Sequence, residues 1–273
     1  MESHALRQKA HYIFGYGSLI CSKSRAITAP TTAHSPAHPA IVNHYQRTWT
    51  ARGRYSANSI VHEDKLNVRQ LNKLKGGTAM GVRYKEGYKV TGVLIPVNEE
   101  ELSQFDIREA GYDRVLVDLD HVSAVPGLPH PDMIEKKEEF KEEMGGDIHV
   151  WIYVQQEPIL ATRHFPIAQS YVDIILRGCL SISEDFVRSF LETTHGWFHE
   201  DYCPKNDVDD DGEHFTWIDD RHFPLYPRAD AQYSKEMAER LDSILQEHHG
   251  EALRRRRSLK MLSASEKYSD EFD

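Results

Sequence analysis

The chain has 273 residues, 40% of them hydrophobic and 10% aromatic, which is enough apolar material for one elaborated domain or two. Lys and Arg total 33 against 43 Asp and Glu, and the formal net charge of -10 argues against a nucleic-acid partner, because a phosphate backbone is bound by net positive surface. The three cysteines, Cys21, Cys179 and Cys203, form no CxxC pair and fit reduced thiols, and no stretch approaches the roughly 18 apolar residues of a membrane span, so a cytoplasmic protein without membrane association is expected.

In chain order, β-branched and aromatic runs punctuated by Gly and Pro predict strands over 12–16, 41–56, 78–84, 90–97, 114–122 and 148–154. Their alternation is only partial, as in a small closed or strongly curved sheet. Between the fourth and fifth, Asn98 leads Glu99, Glu100 and Glu101 into Leu102 and Phe105, the signature of a short helix with a capped, acidic first turn. The charged run 136–143, closed by Gly145 and Gly146, reads as a solvated insertion. Ala168, Tyr171, Val172 and Ile175 then follow helical spacing. Ser181 and Glu184 stand at capping-box spacing ahead of the apolar face formed by Phe186, Val187, Phe190 and Leu191. Residues 196–233 are irregular, aromatic and acidic, and Met237, Leu241, Ile244 and Leu245 predict a last helix over 233–247. The charged end beyond Gly250 is expected to be mobile.

Two strings carry the chemistry. Phe14-Gly15-Tyr16-Gly17-Ser18-Leu19-Ile20 reads as a strand entering a glycine-opened turn; glycine accepts positive φ, and the N–H groups of such a turn form an anion-binding nest. Phe105-Asp106-Ile107-Arg108-Glu109-Ala110-Gly111-Tyr112-Asp113-Arg114 reads as a helix end passing into a strand. Glu109 lies there among Ile107, Gly111 and Tyr112, a setting expected to bury it partly and to raise its pKa above the usual value of about 4.3, as suits a general base. A glutamate between Arg108 and Arg114 is equally compatible with an ion pair.

In that order, the two strings resemble the γ-glutamylcyclotransferase-like family. Tyr16-Gly17-Ser18-Leu19 is similar to its substrate loop, and Glu109 falls where its catalytic glutamate lies. Gln46-Arg47-Thr48-Trp49 and Thr91-Gly92-Val93-Leu94-Ile95-Pro96-Val97 resemble a basic-aromatic and a glycine-led strand of the family. Pro166-Ile167-Ala168-Gln169-Ser170-Tyr171 with Gly178 resembles a late helix whose tyrosine lies near the substrate. The likeness spans residues 11–195. It implies an α+β fold, a small mixed β-barrel with flanking helices over 1–195, followed by a C-terminal helical extension over 196–273.

The resemblance also implies a reaction: cofactor-free, metal-free release of 5-oxoproline from a γ-glutamyl small molecule. Tyr16, Gly17, Ser18 and Leu19 would hold the substrate, Glu109 would be catalytic, and Tyr171 would donate a hydrogen bond at the pocket wall. Cys21 stands where the glutathione-degrading branch carries Trp, and Pro166-Ile167-Ala168-Gln169 replaces its Pro-Ser-Gly helix start. The leaving group stays open among Cys-Gly, an amino acid and an amine. The contrasting reading is a non-catalytic module that senses a γ-glutamyl metabolite or recruits a partner.

Three further patterns are weaker. Asp207, Asp209, Asp211 and Gly212 open like a calcium loop, but the twelfth position is Ile218 rather than Glu. His195, His199 and Cys203 have a zinc-like spacing interrupted by Gly196 and closed by Pro204. Arg254–Arg257 before Ser258 matches a basophilic kinase site or an import patch, and a charge run in a tail is usually solvated.

Overall fold

The computed structural model describes residues 9–53, 74–130, 132–136, 139, 148–197 and 216–258. They fall into two compact units interleaved along the chain: Met1–Thr48, Met80–Pro158 and Ile175–His195 form the first, and Trp49–Ala79, Ile159–Ile174 and Gly196–Asp273 the second. The class is α+β, with strands in mixed directions.

In the first unit β1 (Ala10–Gly15) lies between two partners. It runs antiparallel to β3 (Gly77–Val97), from His11↔Val97 to Gly15↔Val93, and parallel to β6 (Ile148–Val154), from Ala10↔Ile148. That central position explains why Ile13 and Phe14 are wholly buried. β6 also pairs antiparallel with β4 (Asp113–Val117), and β2 (His38–Gly53) pairs with β3, with β5 (Val122–Ala124) and, at Arg47↔Thr194, with β8 (Thr194–His195).

Two strand expectations change. The runs 78–84 and 90–97 are one 21-residue strand, because the ladder continues through exposed polar residues that break the apolar pattern. The run 114–122 is instead divided, because the Asp118 side chain accepts from the Asp120 N–H and opens a 3-10 turn over Leu119–His121.

Among the described residues the first helices are α1 (Ser22–Ala26) and α2 (Glu99–Arg108). In α2 the expected cap is reciprocal: the Asn98 side chain accepts from Glu101 N–H and Glu101 Oε2 accepts from Asn98 N–H, each at 2.8 Å. α3 (Asp132–Glu135) is a single turn; most of the charged run 136–143 lies outside the described residues. α4 (Gln169–Leu180) contributes its second half to this unit. α5 (Glu184–Glu192) is capped by Ser183, which accepts from Phe186 N–H, and not by Ser181, whose hydroxyl turns back to the Gly178 carbonyl.

In the second unit β7 (Ile167–Ala168) pairs parallel with β3 at Thr78 and with β9 (Trp217–Asp219), and β9 with β10 (Arg257–Ser258). Its core is aromatic: Trp197 meets Trp49 and Trp217 at centroid distances of 4.9 and 5.3 Å and stacks on His249. The single helix expected over 233–247 is two, α6 (Ala231–Glu236) and α7 (Ala238–Arg254), with Asp230 capping the first at Tyr233 N–H and a break at Met237. The stretch beyond Gly250 was expected to be mobile. Through 258 it instead carries the last turn of α7 and β10, anchored by Arg256.

Candidate functional site

The site grows from the end of β1. Tyr16 is buried; its hydroxyl donates to the Tyr153 carbonyl at 2.6 Å and its own carbonyl accepts from Arg47 Nη1 at 3.1 Å. The chain then enters a 3-10 turn over Ser18–Ile20, closed by Ile20 N–H to Gly17 O at 3.0 Å and Cys21 N–H to Ser18 O at 3.2 Å. Those two amides are spent inside the turn, so a substrate anion would meet amides earlier in the loop.

The glycines do not act as expected. Gly17 has φ -135°, and among the described residues the glycines with positive φ are Gly87, Gly127 and Gly196. Gly15 sits in a tight space instead: a Cβ there would lie 3.0 Å from Leu19 Cβ and 3.1 Å from Ile95 Cδ1, so a neighbouring side chain would have to shift. Helix α4 closes over the loop the same way, since a Cβ on Gly178 would lie 2.6 Å from Cys21 N.

A buried arginine fixes the far end of the loop. Arg25, from α1, donates to the carbonyls of Ile20, Thr32 and Ser35 at 3.0 to 3.1 Å, and burial lowers its pKa.

Glu109 sits at the C-terminal cap of α2, where its N–H closes on Phe105 O at 2.9 Å. Successive residues of a helix do not face each other, but the cap conformation, φ -97° and ψ 26°, lets the carboxylate fold back onto its neighbour. Glu109 Oε1 lies 2.9 Å from Arg108 Nε, with side-chain exposures of 19% and 5%. The same guanidinium donates to Ser18 Oγ at 3.0 Å, to Ser24 O at 3.0 Å and to Thr28 Oγ1 at 3.1 Å. One cation therefore joins the loop string to the glutamate string.

Ile107 does not contribute the expected apolar wall, being 80% exposed; a guanidinium is what neighbours the carboxylate. Around the pair, Asp106 accepts from the Tyr153 hydroxyl at 2.9 Å and pairs with Arg114 at 3.0 Å. Burial, then the Asp106 carboxylate, raises the Tyr153 phenol far above its usual range, which keeps it a neutral donor. The Tyr112 hydroxyl donates to Met80 O at 3.0 Å.

Tyr16, Gly17, Ser18, Leu19 and Glu109 thus all lie in the first unit. Tyr171 is described in the second, its ring edge-on to Trp49 and to Tyr226 at 5.9 and 4.7 Å. Sequence reasoning gave no role to Arg25 or Arg47. For Glu109 it left an ion pair with a flanking arginine open, and Arg108 is that partner; the Arg108 bond to Ser18, 90 residues away, leaves no trace in the sequence.

Among the described residues no group of three or more His, Cys, Asp or Glu is placed to hold a metal, and no helix is long and apolar enough to cross a membrane. Asp207, Asp209, Asp211, His199 and Cys203 lie outside the described residues, as does the whole 54–73 segment. His195 lies in β8 with its ring edge-on to Tyr88 at 5.3 Å. Cys21 and Cys179 are buried free thiols.

No family model matches the chain, and no curated protein does. Solved structures similar to it include γ-glutamyl cyclotransferases. An uncharacterized protein from Homo sapiens matches at 16% identity and TM-score 0.44, over 75% of this chain and 96% of that one. A γ-glutamyl cyclotransferase matches at 15% and 0.43, over 74% and 95%. A γ-glutamyl cyclotransferase specific to glutathione from yeast matches at 13% and 0.39, over 70% and 100%. At such scores nothing about function follows from the likeness.

Proposed function

We propose that the protein is a γ-glutamylcyclotransferase that releases 5-oxoproline and an amine or amino acid from a γ-glutamyl substrate. The observation that carries this reading is the Arg108 guanidinium, which holds Ser18 of the loop and the Glu109 carboxylate within one hydrogen-bonded group. That contact brings two motifs 90 residues apart into one hydrogen-bonded group, which supports reading them as one site.

In the proposed reaction, loop amides at 16–19 hold a carboxylate or the γ-carbonyl oxygen of the substrate, and Glu109 takes a proton from its α-ammonium. The freed amine attacks its own γ-carbonyl. Closing a five-membered ring needs little beyond the right conformer, so positioning supplies much of the acceleration. Glu109 returns the proton to the leaving amine as the tetrahedral intermediate collapses, with the oxyanion met by backbone donors. The ring nitrogen then sheds its second proton to the regenerated carboxylate, and the released amine takes it up to leave as an ammonium ion, so the protons balance with no metal or cofactor in the scheme. Tyr171 as a pocket-wall donor and the family's small barrel enter on the sequence resemblance alone, and a cytoplasmic setting on the unpaired cysteines and the lack of a long apolar stretch in the sequence.

A binding module is the second reading, and the Arg108–Glu109 pair favours it in one respect. A carboxylate compensated by a guanidinium can sit beside an anionic ligand without any proton to move.

A 5-oxoproline assay over γ-glutamyl peptides, amino acids and amines separates the two and identifies the leaving group. Glu109→Gln should lower kcat by at least about 10²-fold while binding stays within about tenfold, because the amide keeps the shape but accepts no proton. A variant retaining more than about a tenth of the wild-type kcat removes Glu109 from the mechanism. Absence of 5-oxoproline with every substrate, alongside measurable binding, establishes the module.

A further inference from the structure

The four consecutive arginines before Ser258 have no part in the proposed reaction, and they are not a free tail. Arg254, Arg255 and Ser258 are exposed, whereas Arg256 turns inward. It donates to Asp242 Oδ2 at 2.6 Å, to Asp242 Oδ1 at 2.9 Å and to Gln169 Oε1 at 2.6 Å, and it lies 3.3 Å from Asp219. These contacts hold a strand of only two residues, whose register puts Arg257 opposite Ile218 and Ser258 opposite Asp219.

We infer that Ser258 is a phosphorylation site for a basophilic serine kinase, and that Arg256 is the latch controlling access to it. Exposed guanidiniums three and four residues ahead of a serine hydroxyl offer an acidic kinase groove its charge complement. A kinase reads its substrate as an extended segment, so β10 must first leave β9, and a two-residue ladder opposes that weakly. In the transfer, Ser258 Oγ forms a bond to the γ-phosphorus of a nucleoside triphosphate. The bond from that phosphorus to the β,γ-bridging oxygen breaks, the diphosphate leaves, and the serine proton passes to the kinase base.

The product does not fit the strand it came from. A phosphoserine carries about -1.5 to -2 charges at neutral pH and would stand opposite Asp219, where like charges across a ladder repel. It also competes with Asp219 and Asp242 for the Arg256 guanidinium. Phosphorylation thus shifts the strand from docked to released.

The test uses the full chain, a basophilic kinase and radiolabelled ATP, with sites mapped by mass spectrometry. Label at Ser258 is expected, lost in Ser258→Ala and slowed about tenfold in the Arg254→Ala/Arg255→Ala double variant, which touches only exposed guanidiniums. Asp242→Asn, which loosens the latch without altering the recognition residues, should label faster than wild type. Phosphorylated protein should show backbone hydrogen exchange at 217–219 about fivefold faster than the unmodified chain. Label confined to serines other than Ser258 overturns the site. Unchanged labelling in Asp242→Asn, or unchanged exchange after modification at Ser258, overturns the latch.

Discussion

Two buried arginines, one in each unit, are satisfied by opposite chemistries. Arg47 gives its N–H groups to neutral oxygens: the carbonyls of Tyr16, Thr91 and Phe190 and the hydroxyls of Thr193 and Thr194, at 2.6 to 3.1 Å, while its guanidinium lies 3.7 Å from the Phe190 ring centroid. Arg221 faces carboxylates instead: Asp173 and Asp242 at 2.8 Å and Asp219 at 3.6 Å. The first ties the loop at Tyr16, β3 and the end of α5 together through dipoles that do not titrate. The second joins helices and a loop through charges that do, so one staple should be indifferent to pH and the other sensitive to it.

The largest effect is expected where the contrast is greatest. Arg221→Ala strands Asp173, which is fully buried, with hydrogen bonds from Gln169 and Ser234 in place of a cation, and should cost about 3 to 5 kcal/mol in denaturant unfolding. A loss under about 1 kcal/mol would mean that the cluster is solvated in a way its burial denies.

Arg47→Lys keeps the charge but offers three donors from a single nitrogen to oxygens spread around a planar fork. It should cost about 3 kcal/mol through carbonyls left unsatisfied, with a correspondingly lower thermal midpoint. The penalty should be the same at pH 5 and pH 8. A strongly pH-dependent penalty would break the contrast between the two staples.

A carboxylate next to the Arg221 cluster supplies the sign of the pH effect. Asp220 accepts from Ser170 N–H, Ser170 Oγ and Leu225 N–H, yet burial pushes its carboxyl up to about 6 from 3.8 against those hydrogen bonds. Between those values the folded chain keeps a proton that the unfolded chain has released. Its contribution is therefore complete below 3.8 and is lost as pH rises through 6. Asp220→Asn lacks this titration, so between pH 4 and pH 7 the stability gap should move by about 2 kcal/mol in favour of the variant. A gap that moves the other way would show that the three hydrogen bonds outweigh burial.

What the sequence disclosed follows from the kind of signal each element leaves. β1, β6 and the α2 cap were legible because their information is local: apolar runs in the strands, and an asparagine three residues before a glutamate in the cap. The halves of β3 read as two strands because backbone pairing through 83–89 leaves no apolar trace. The arginines that build both units were illegible for a different reason. Arg47, Arg108 and Arg221 sit among polar or aromatic neighbours as surface arginines do, and only partners up to 147 residues away distinguish them. Glu109 was singled out through its flanks and family likeness, but the apolar wall expected from Ile107 is solvent-exposed and Arg108 neighbours the carboxylate.

The smallest effects separate the two kinds of arginine within one basic run. Arg256 is largely buried and bonded to Asp242 and Gln169, whereas Arg255 is 41% exposed and 3.5 Å from Glu251 one turn away. Arg256→Ala should cost about 1 to 2 kcal/mol, since it leaves Asp242 with Arg221 alone and unpins β10. Arg255→Ala should stay within about 0.5 kcal/mol, because an exposed pair gains little from attraction that water already screens. Burial lowers no barrier to titration at Asp242: desolvation raises its pKa, the two guanidiniums outweigh that, and the net shift is downward. The Arg256 contribution should therefore hold at neutral pH and fade on acidification, as Asp242 takes up a proton below its ordinary range. Chemical denaturation of both variants at pH 7 and pH 3 reads this directly. Equal, small losses from the two substitutions at both pH values would return Arg254–Arg257 to the solvated charge run that its composition resembles.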